Sequence, residues 1–419
     1  MDACGGGERP PSKCVLVVTT GFPAHPRDLR GIFLLRGLKY LLKESEFSAI
    51  VVVPQSEEPA PLFAAREPWQ DKLEIARYAY APRQLQLLTR GSIPANLRRA
   101  PLLWLQVPWL LAAGALALLR HARRAQILHC HWLASALLPV LLRRWHGKPV
   151  LLTLHGSDIA LMNSGVLRCV NRFILGRCDK VLPVTRLLKQ AVAGLCDCGE
   201  VVPVGVDAEV FHPASAAEKR ALRHSIGIEE SRVILICAGM LIPVKGLDLL
   251  IEAAALLKTM ELPPFLIVLL GDGIERPRLQ ELAEKRGCAH LLRFVGTIPP
   301  HEAPTWTRCA DIALSTSHSE GLSTALCEAA ACALPIVATR AGDTGMIVAE
   351  GENGTILEQR DPAALAERCA WLIADGELRR RMGARGRELL VERRLTSAAC
   401  AQGYLAAYRE LLAERASRA

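Results

Sequence analysis

Residues 311–339, DIALSTSHSEGLSTALCEAAACALPIVAT, read as a strand, a short loop, a helix and a second strand. The same alternation runs outward from this stretch in both directions. RVILICAG at 232–239, PFLIVLLG at 264–271 and LLRFVG precede it, and the first half of the chain repeats the pattern at 14–20, 48–53, 126–131, 149–155 and 180–185. Apolar, β-branched strands separated by helix-length segments imply parallel sheets covered on both faces. The turn-rich segment VPVGVDAEVFHPAS divides the two series. The expected fold class is therefore α/β, with two Rossmann-like doubly wound parallel sheets facing across a cleft, because such sheets place ligand crevices at the carboxyl ends of their strands. The expected domains are a loose tail at 1–13, an N-terminal domain at 14–210, a C-terminal domain at 211–395 and a helix at 396–419. In that last helix Tyr404, Tyr408, Leu411 and Leu412 share one face and call for a docking surface.

Composition narrows the function less than the fold. With 419 residues, 51% apolar and 22% charged, the chain has material for two cores. The excess of 51 basic over 42 acidic residues, net +9, suits phosphate-bearing substrates, anionic lipid or nucleic acid. No zinc-finger spacing or aromatic interleaving of basic residues is present, so no nucleic-acid partner is expected. Most of the 14 cysteines fall in apolar segments, which points to reduced thiols and a cytosolic location. No apolar run follows the charges of the first 13 residues, so no signal peptide is expected. The run PLLWLQVPWLLAAGALALL at 101–119 has the length of a bilayer span. Pro101, Pro108, Gln106 and its place between strands of one sheet argue for a buried or partly covered helix, with a shallow peripheral contact at the inner membrane face left open.

In the deciding stretch, Glu320 falls in the loop and Glu328 within the helix, which is expected to start between Leu322 and Thr324. The N–H groups of Gly321, Leu322 and Ser323 then point into the crevice, where the helix dipole favours an anion such as a diphosphate. The two carboxylates flank that anion and accept bonds from sugar hydroxyls. Read in isolation, the pair equally suits a capping box and a solvent-facing glutamate.

The acidic pair with seven residues between, followed by CALPIVAT, resembles the signature of family 4 retaining glycosyltransferases, of GT-B fold. The resemblance extends over nearly the whole chain. CAGMLIPVKGLDLLIEAAALL is similar to the family's donor-phosphate loop, LLGDGIERPRL to its next strand and turn, and VVPVGVDAEVFHP to its hinge. HCHWLASALLPVLLRRWHGKPVLLTLHGSDI resembles its paired strands ending in His-Gly-x-Asp, and TTGFPAHPRDLRGIFLLRGLKYL its first loop. The finer pattern looks like bacterial enzymes of exopolysaccharide or teichuronic-acid assembly.

The resemblance implies that Glu320 binds the donor sugar, Glu328 the ribose, and Lys245 the phosphates, with His155 beside the reacting sugar. His155, Glu320 and Lys245 form the implied catalytic set. Gly31, Gly239, Lys245, Gly271, Glu320, Gly321, Leu322, Ser323 and Glu328 form the implied donor site. Asp158 either belongs with His155 or caps the helix from Ile159 onward. The implied co-substrate is a nucleoside-diphosphate sugar, the acceptor a glycan or lipid-linked molecule, and neither a metal nor another cofactor is expected.

Two positions depart from the family pattern. Where its donor loop reads Gly-Arg-Leu, this chain has Gly239, Met240 and Leu241, and the loss of one charge-assisted bond costs about 1.5–3 kcal/mol. Where Gly-Gly-x-Pro-Glu is usual, the chain has Gly342, Asp343, Thr344, Gly345 and Met346. Three explanations stand side by side: an altered donor, a compensating cation from Arg340 or Arg27, or a chain that keeps the fold as a silent binding partner. An epimerase on the same architecture is a third class of function.

Overall fold

The computed structural model describes residues 13–28, 30–56, 59–63, 66–91, 93–162, 165 and 167–418. The chain forms two compact units. One comprises Met1–Val184, Leu188–Val202 and Ala401–Ala419, the other Thr185–Leu187 and Pro203–Cys400. The loose tail expected at 1–13 lies outside the described residues except for Lys13, which opens the first strand.

The first unit holds six parallel strands: β1 (Lys13–Val18), β2 (Phe47–Pro54), β3 (Leu73–Tyr78), β4 (Ile127–His131), β5 (Val150–Leu154) and β6 (Lys180–Pro183), in the order β3-β2-β1-β4-β5-β6. The second holds β7 (Val233–Ala238), β8 (Phe265–Leu270), β9 (Leu292–Gly296), β10 (Ile312–Ser315), β11 (Ile336–Thr339) and β12 (Gly354–Leu357), also parallel, in the order β12-β11-β10-β7-β8-β9. Each sheet is wound outward in both directions from its first strand. The winding reverses between β1 and β4 and between β7 and β10, and the loops leaving those strands part there to open a crevice. The central strands are buried almost throughout, as their Val, Ile and Leu content requires.

The strand series read from sequence omits β3 and β12, and both are edge strands. Every residue of β3 is only half-buried, so it lacks the continuous apolar run that marks a central strand. The segment 55–100 thus contains β3 and the helix Ile93–Arg99.

The apolar run forms a 3-10 turn, Pro101–Gln106, and a helix, Val107–Ala122, of which only Gly114, Leu118 and Ala122 are buried. It lies against β1, β2 and β3 with one narrow stripe, which is the partly covered form of the expected helix and not the buried one. Among the arginines 379–381, Arg379 donates to the carbonyls of Leu372 and Ile373 at 2.5 and 2.9 Å, closing the helix Pro362–Ala374. Asp158 does not cap the helix that follows it, and its role is given below. The terminal helix Ser397–Arg418 buries Tyr404, Tyr408 and Leu411.

One buried carboxylate anchors the second unit. Asp311 accepts from Lys219 Nζ at 2.7 Å, Arg223 Nη2 at 2.5 Å and the Ile234 amide at 2.7 Å, joining the helix Ala216–Ser225 to β7 and β10. Burial pushes its pKa up, but Lys219 and Arg223 outweigh burial and hold it below the usual carboxylate range. Asp311→Ala strands the Arg223 guanidinium, which is almost fully buried. Denaturant melts are expected to show a loss of about 3–5 kcal/mol for that variant.

Candidate functional site

In the second unit the chain leaves β7 through Gly239, Met240 and Leu241 and makes a 3-10 turn at Pro243–Lys245 before the helix Leu247–Leu257. It leaves β10 through Thr316 and Ser317 toward Glu320. Because β7 and β10 are parallel neighbours, both loops emerge on one edge of the sheet. Lys245 Nζ donates to Glu320 Oε1 in a short ion pair, and Ser317 Oγ donates to the same oxygen at 2.8 Å. Thr316 Oγ1 donates to the Lys245 carbonyl at 3.1 Å. Glu320, Lys245, Gly239, Met240 and Ser323 share the wall of one crevice.

Arg360 was absent from the residues read from sequence. It donates to the Thr316 carbonyl and, at 3.0 Å, to the Gly246 carbonyl, so one guanidinium ties the lysine turn to the glutamate loop. No local motif marks it, since it arrives from beyond β12. The loop after β11 backs onto the same place, with the Asp343 amide donating to the Gly321 carbonyl at 3.2 Å. Gly271 follows β8, and a Cβ there would lie 2.0 Å from the Gly239 carbonyl oxygen, so any side chain would displace the donor loop.

The helix beyond Glu320 runs Thr324–Ala331, with Ser323 as N-cap accepting from the Leu326 amide at 3.4 Å. Its third residue is Leu326, so neither glutamate makes a capping box. Among the described residues the amides of Gly321, Leu322 and Ser323 have no backbone acceptor, which leaves donors at the positive end of the helix. Glu328 lies half-buried along the helix and is not part of the crevice wall. Met240 is on that wall and 63% exposed, whereas Met346 is buried in the turn Thr344–Met346 and acts as packing. Arg340 is held away by Glu358, which takes its Nε at 2.8 and 2.6 Å. Arg27 is exposed on the other unit.

In the first unit His155 follows β5 and is buried. Its amide donates to Asp158 Oδ2 at 2.9 Å, and the Leu133 amide donates to Asp158 Oδ1 at 3.2 Å, so Asp158 joins the loops after β4 and β5. Burial raises its pKa to about 6, against the opposing pull of those two amides. The His155 ring meets His131, Nε2 to Nδ1 at 3.1 Å, and lies against Phe33 and Trp132. Above His131 sits His129, which bonds Tyr408 Oη at 2.7 Å and Thr153 Oγ1 at 2.8 Å. His129 and His131 were read only as strand. Their two-residue spacing, matched by Thr153 and His155, places all four on one face of the sheet and was the available signal. Gly31 starts the helix Ile32–Lys43, and a Cβ on it would fall 2.4 Å from the Gly21 carbonyl oxygen. Its side-chain space is closed by the chain's own loop, which accounts for glycine without a ligand.

Burial brings His129 and His155 down to about 3 and His131 well below its ordinary value. Unfolded, each returns to about 6.5. The cluster's contribution to stability is therefore complete above about pH 6.5 and is lost as pH falls toward 3. Near pH 5, unfolding should take up close to three protons at these rings, a slope of about 4 kcal/mol per pH unit. Urea melts across pH check this, and His131→Gln should lower the slope by about a third. Arg360→Ala should cost about 2–3 kcal/mol and expose the Gly246 and Thr316 loops to amide exchange.

The family model "Glycosyl transferases group 1" matches residues 218–389, and "Glycosyltransferase Family 4" matches residues 74–210. The D-inositol 3-phosphate glycosyltransferase of Frankia alni is 32% identical over 316 residues, covering 69% of this chain and 75% of that protein. The GDP-mannose-dependent alpha-(1-6)-phosphatidylinositol monomannoside mannosyltransferase of Mycolicibacterium smegmatis is 30% identical over 262 residues, 60% of this chain and 68% of that protein. Among solved structures, Anabaena HepE in complex with UDP superposes with a TM-score of 0.72 at 16% identity, over 95% of this chain and all of that one, a likeness of fold.

Proposed function

The chain belongs to the family 4 glycosyltransferases of GT-B fold, and we propose that it moves a sugar, with retention, from a nucleoside-diphosphate sugar to a glycan or lipid-linked acceptor in cell-surface polysaccharide synthesis. The observation that carries the reading is the Lys245–Glu320 pair beside the capped helix N-terminus, at the winding reversal of the second sheet. In this reading the amides of Gly321, Leu322 and Ser323 and the Lys245 ammonium take the diphosphate, while Glu320 accepts from sugar hydroxyls and Glu328 from the ribose. His155, held neutral by burial, meets the transferred sugar. Charge then builds on the leaving diphosphate, and fixed amide and ammonium donors stabilise it without solvent reorganisation. The UDP named for HepE and the GDP-mannose named for the mycobacterial relative support a nucleotide-sugar donor and leave its base open.

A second reading, a silent partner protein that keeps the fold, draws on Met240 at the crevice mouth and on Arg340 being held by Glu358. One screen separates the two. A nucleoside diphosphate at a hundred times its dissociation constant stabilises the folded state by about 2.7 kcal/mol, so UDP, GDP, ADP or TDP should raise the melting temperature of the wild type and not of Lys245→Ala. Met240→Arg should tighten that ligand about tenfold or more, as expected for one added charge-assisted bond. No shift with any of the four, from a protein that melts cooperatively, rejects the donor reading and favours the silent one.

A further inference from the structure

The helix Val107–Ala122 and the 3-10 turn before it expose apolar side chains that nothing in the first unit covers. Leu102, Trp104, Leu105, Trp109 and Leu116, together with Trp145 on the neighbouring helix Arg143–His146, are each 59–80% exposed. Contacts between the two helices make this one surface. Trp109, Ala112, Leu116, Arg120 and Arg123 recur at spacings of three and four and are all exposed, opposite the buried stripe of Gly114, Leu118 and Ala122.

The charge around this face is predominantly positive. From Ile75 to Ser157 the chain has eleven Lys and Arg and no Asp or Glu. The remaining residues carry 40 basic and 42 acidic side chains of the chain's 51 and 42, so the whole net charge of +9 originates here. Glu74 takes Arg124 and Asp179 takes Arg143. Arg98, Arg99, Arg120, Arg123 and Arg144 have no carboxylate partner among the described residues, and all five are exposed.

We propose that this face is a monotopic docking surface for a bilayer containing anionic lipid, the helix lying in the interfacial plane with its tryptophans among the headgroups. Tryptophan and arginine around an apolar stripe match that boundary, where an apolar body and a polar edge are both accommodated. The helix does not cross the bilayer. Its buried stripe packs on β1, β2 and β3, and a Cβ on Gly114 would lie 3.0 Å from Leu138 and 3.1 Å from the Tyr78 hydroxyl, so leaving would strip one side of the sheet. A second copy of the chain fits the face poorly, because a two-fold contact sets its arginine rim against the same rim. Anionic headgroups neutralise it.

The test is sedimentation of the full chain with phosphatidylcholine vesicles, with and without phosphatidylglycerol, and it is independent of any sugar donor. The wild type is expected to sediment with the anionic vesicles, to show blue-shifted tryptophan emission there, and to be released by salt. Trp109→Glu with Leu116→Glu changes two exposed side chains, so it should melt as the wild type does and bind at least about tenfold more weakly. Arg120→Gln with Arg123→Gln should weaken the anionic preference alone. Wild-type protein left in the supernatant with anionic vesicles overturns the proposal, as does undiminished binding by the double-glutamate variant. A concentration-dependent dimer dissolved by that variant, without vesicle binding, assigns the face to a second copy instead.

Discussion

Two parallel strands that touch in space, β7 and β10, govern the chemistry of the second unit, because a parallel pair delivers both of its outgoing loops to one edge. That edge brings Lys245 to Glu320 across 75 residues of chain. Each half of the pair is poorly hydrated, so each needs the other, and the pairing holds the lysine ammonium on the crevice wall. Arg360 fixes the two loops through carbonyl oxygens, which leaves the carboxylate and ammonium free to exchange partners without moving the backbone. The site's positive potential thus rests largely on a helix terminus and one lysine. Met240 supplies bulk where a cation would add charge.

The first unit solves a different problem. Three imidazoles stand on one sheet face, His129 bonded to Tyr408 and Thr153 and His131 bonded to His155, and all three are neutral because burial makes the cation too costly. A neutral imidazole at His155 offers a hydrogen bond of chosen direction rather than a charge. Its bond to His131 fixes which nitrogen is spoken for, and Asp158 fixes the backbone beneath it. Asp158 thus serves the histidine loop, one of the two roles the sequence left open to it.

The α/β alternation and the helix start near Ser323 were legible in the chain, because period, capping chemistry and strand apolarity are local properties, whereas Lys245 at the end of the β7 loop was marked only by the family resemblance. The edge strand β3 was not legible, since every residue of it is half-hydrated and its sequence carries a diluted signal, and β12 was not, since it is only four residues long and opens on a glycine. Arg360 was invisible for another reason: its hydrogen-bond acceptors are main-chain carbonyls, which have no residue identity, and the carboxylate it meets at 3.7 Å, Asp248, is distant in sequence. The exposure of the helix Val107–Ala122 was hidden because it is apolar on every face before its last turn, and a pattern without polar residues cannot say which side meets the sheet. The missing acidic residues around it were readable, but only by counting over some eighty positions.

The tie between His129 and Tyr408 spans 279 positions, and the whole second unit is spelled out between them. On a ribosome adding roughly 5–20 residues per second, the first unit therefore waits about 14–56 s with its histidine face unroofed. During that interval the nascent sheet exposes imidazoles that titrate near neutrality, and the unit that begins first is sealed last. The order of synthesis and the order of completion are inverted: the first sheet begun is the last to gain all of its contacts.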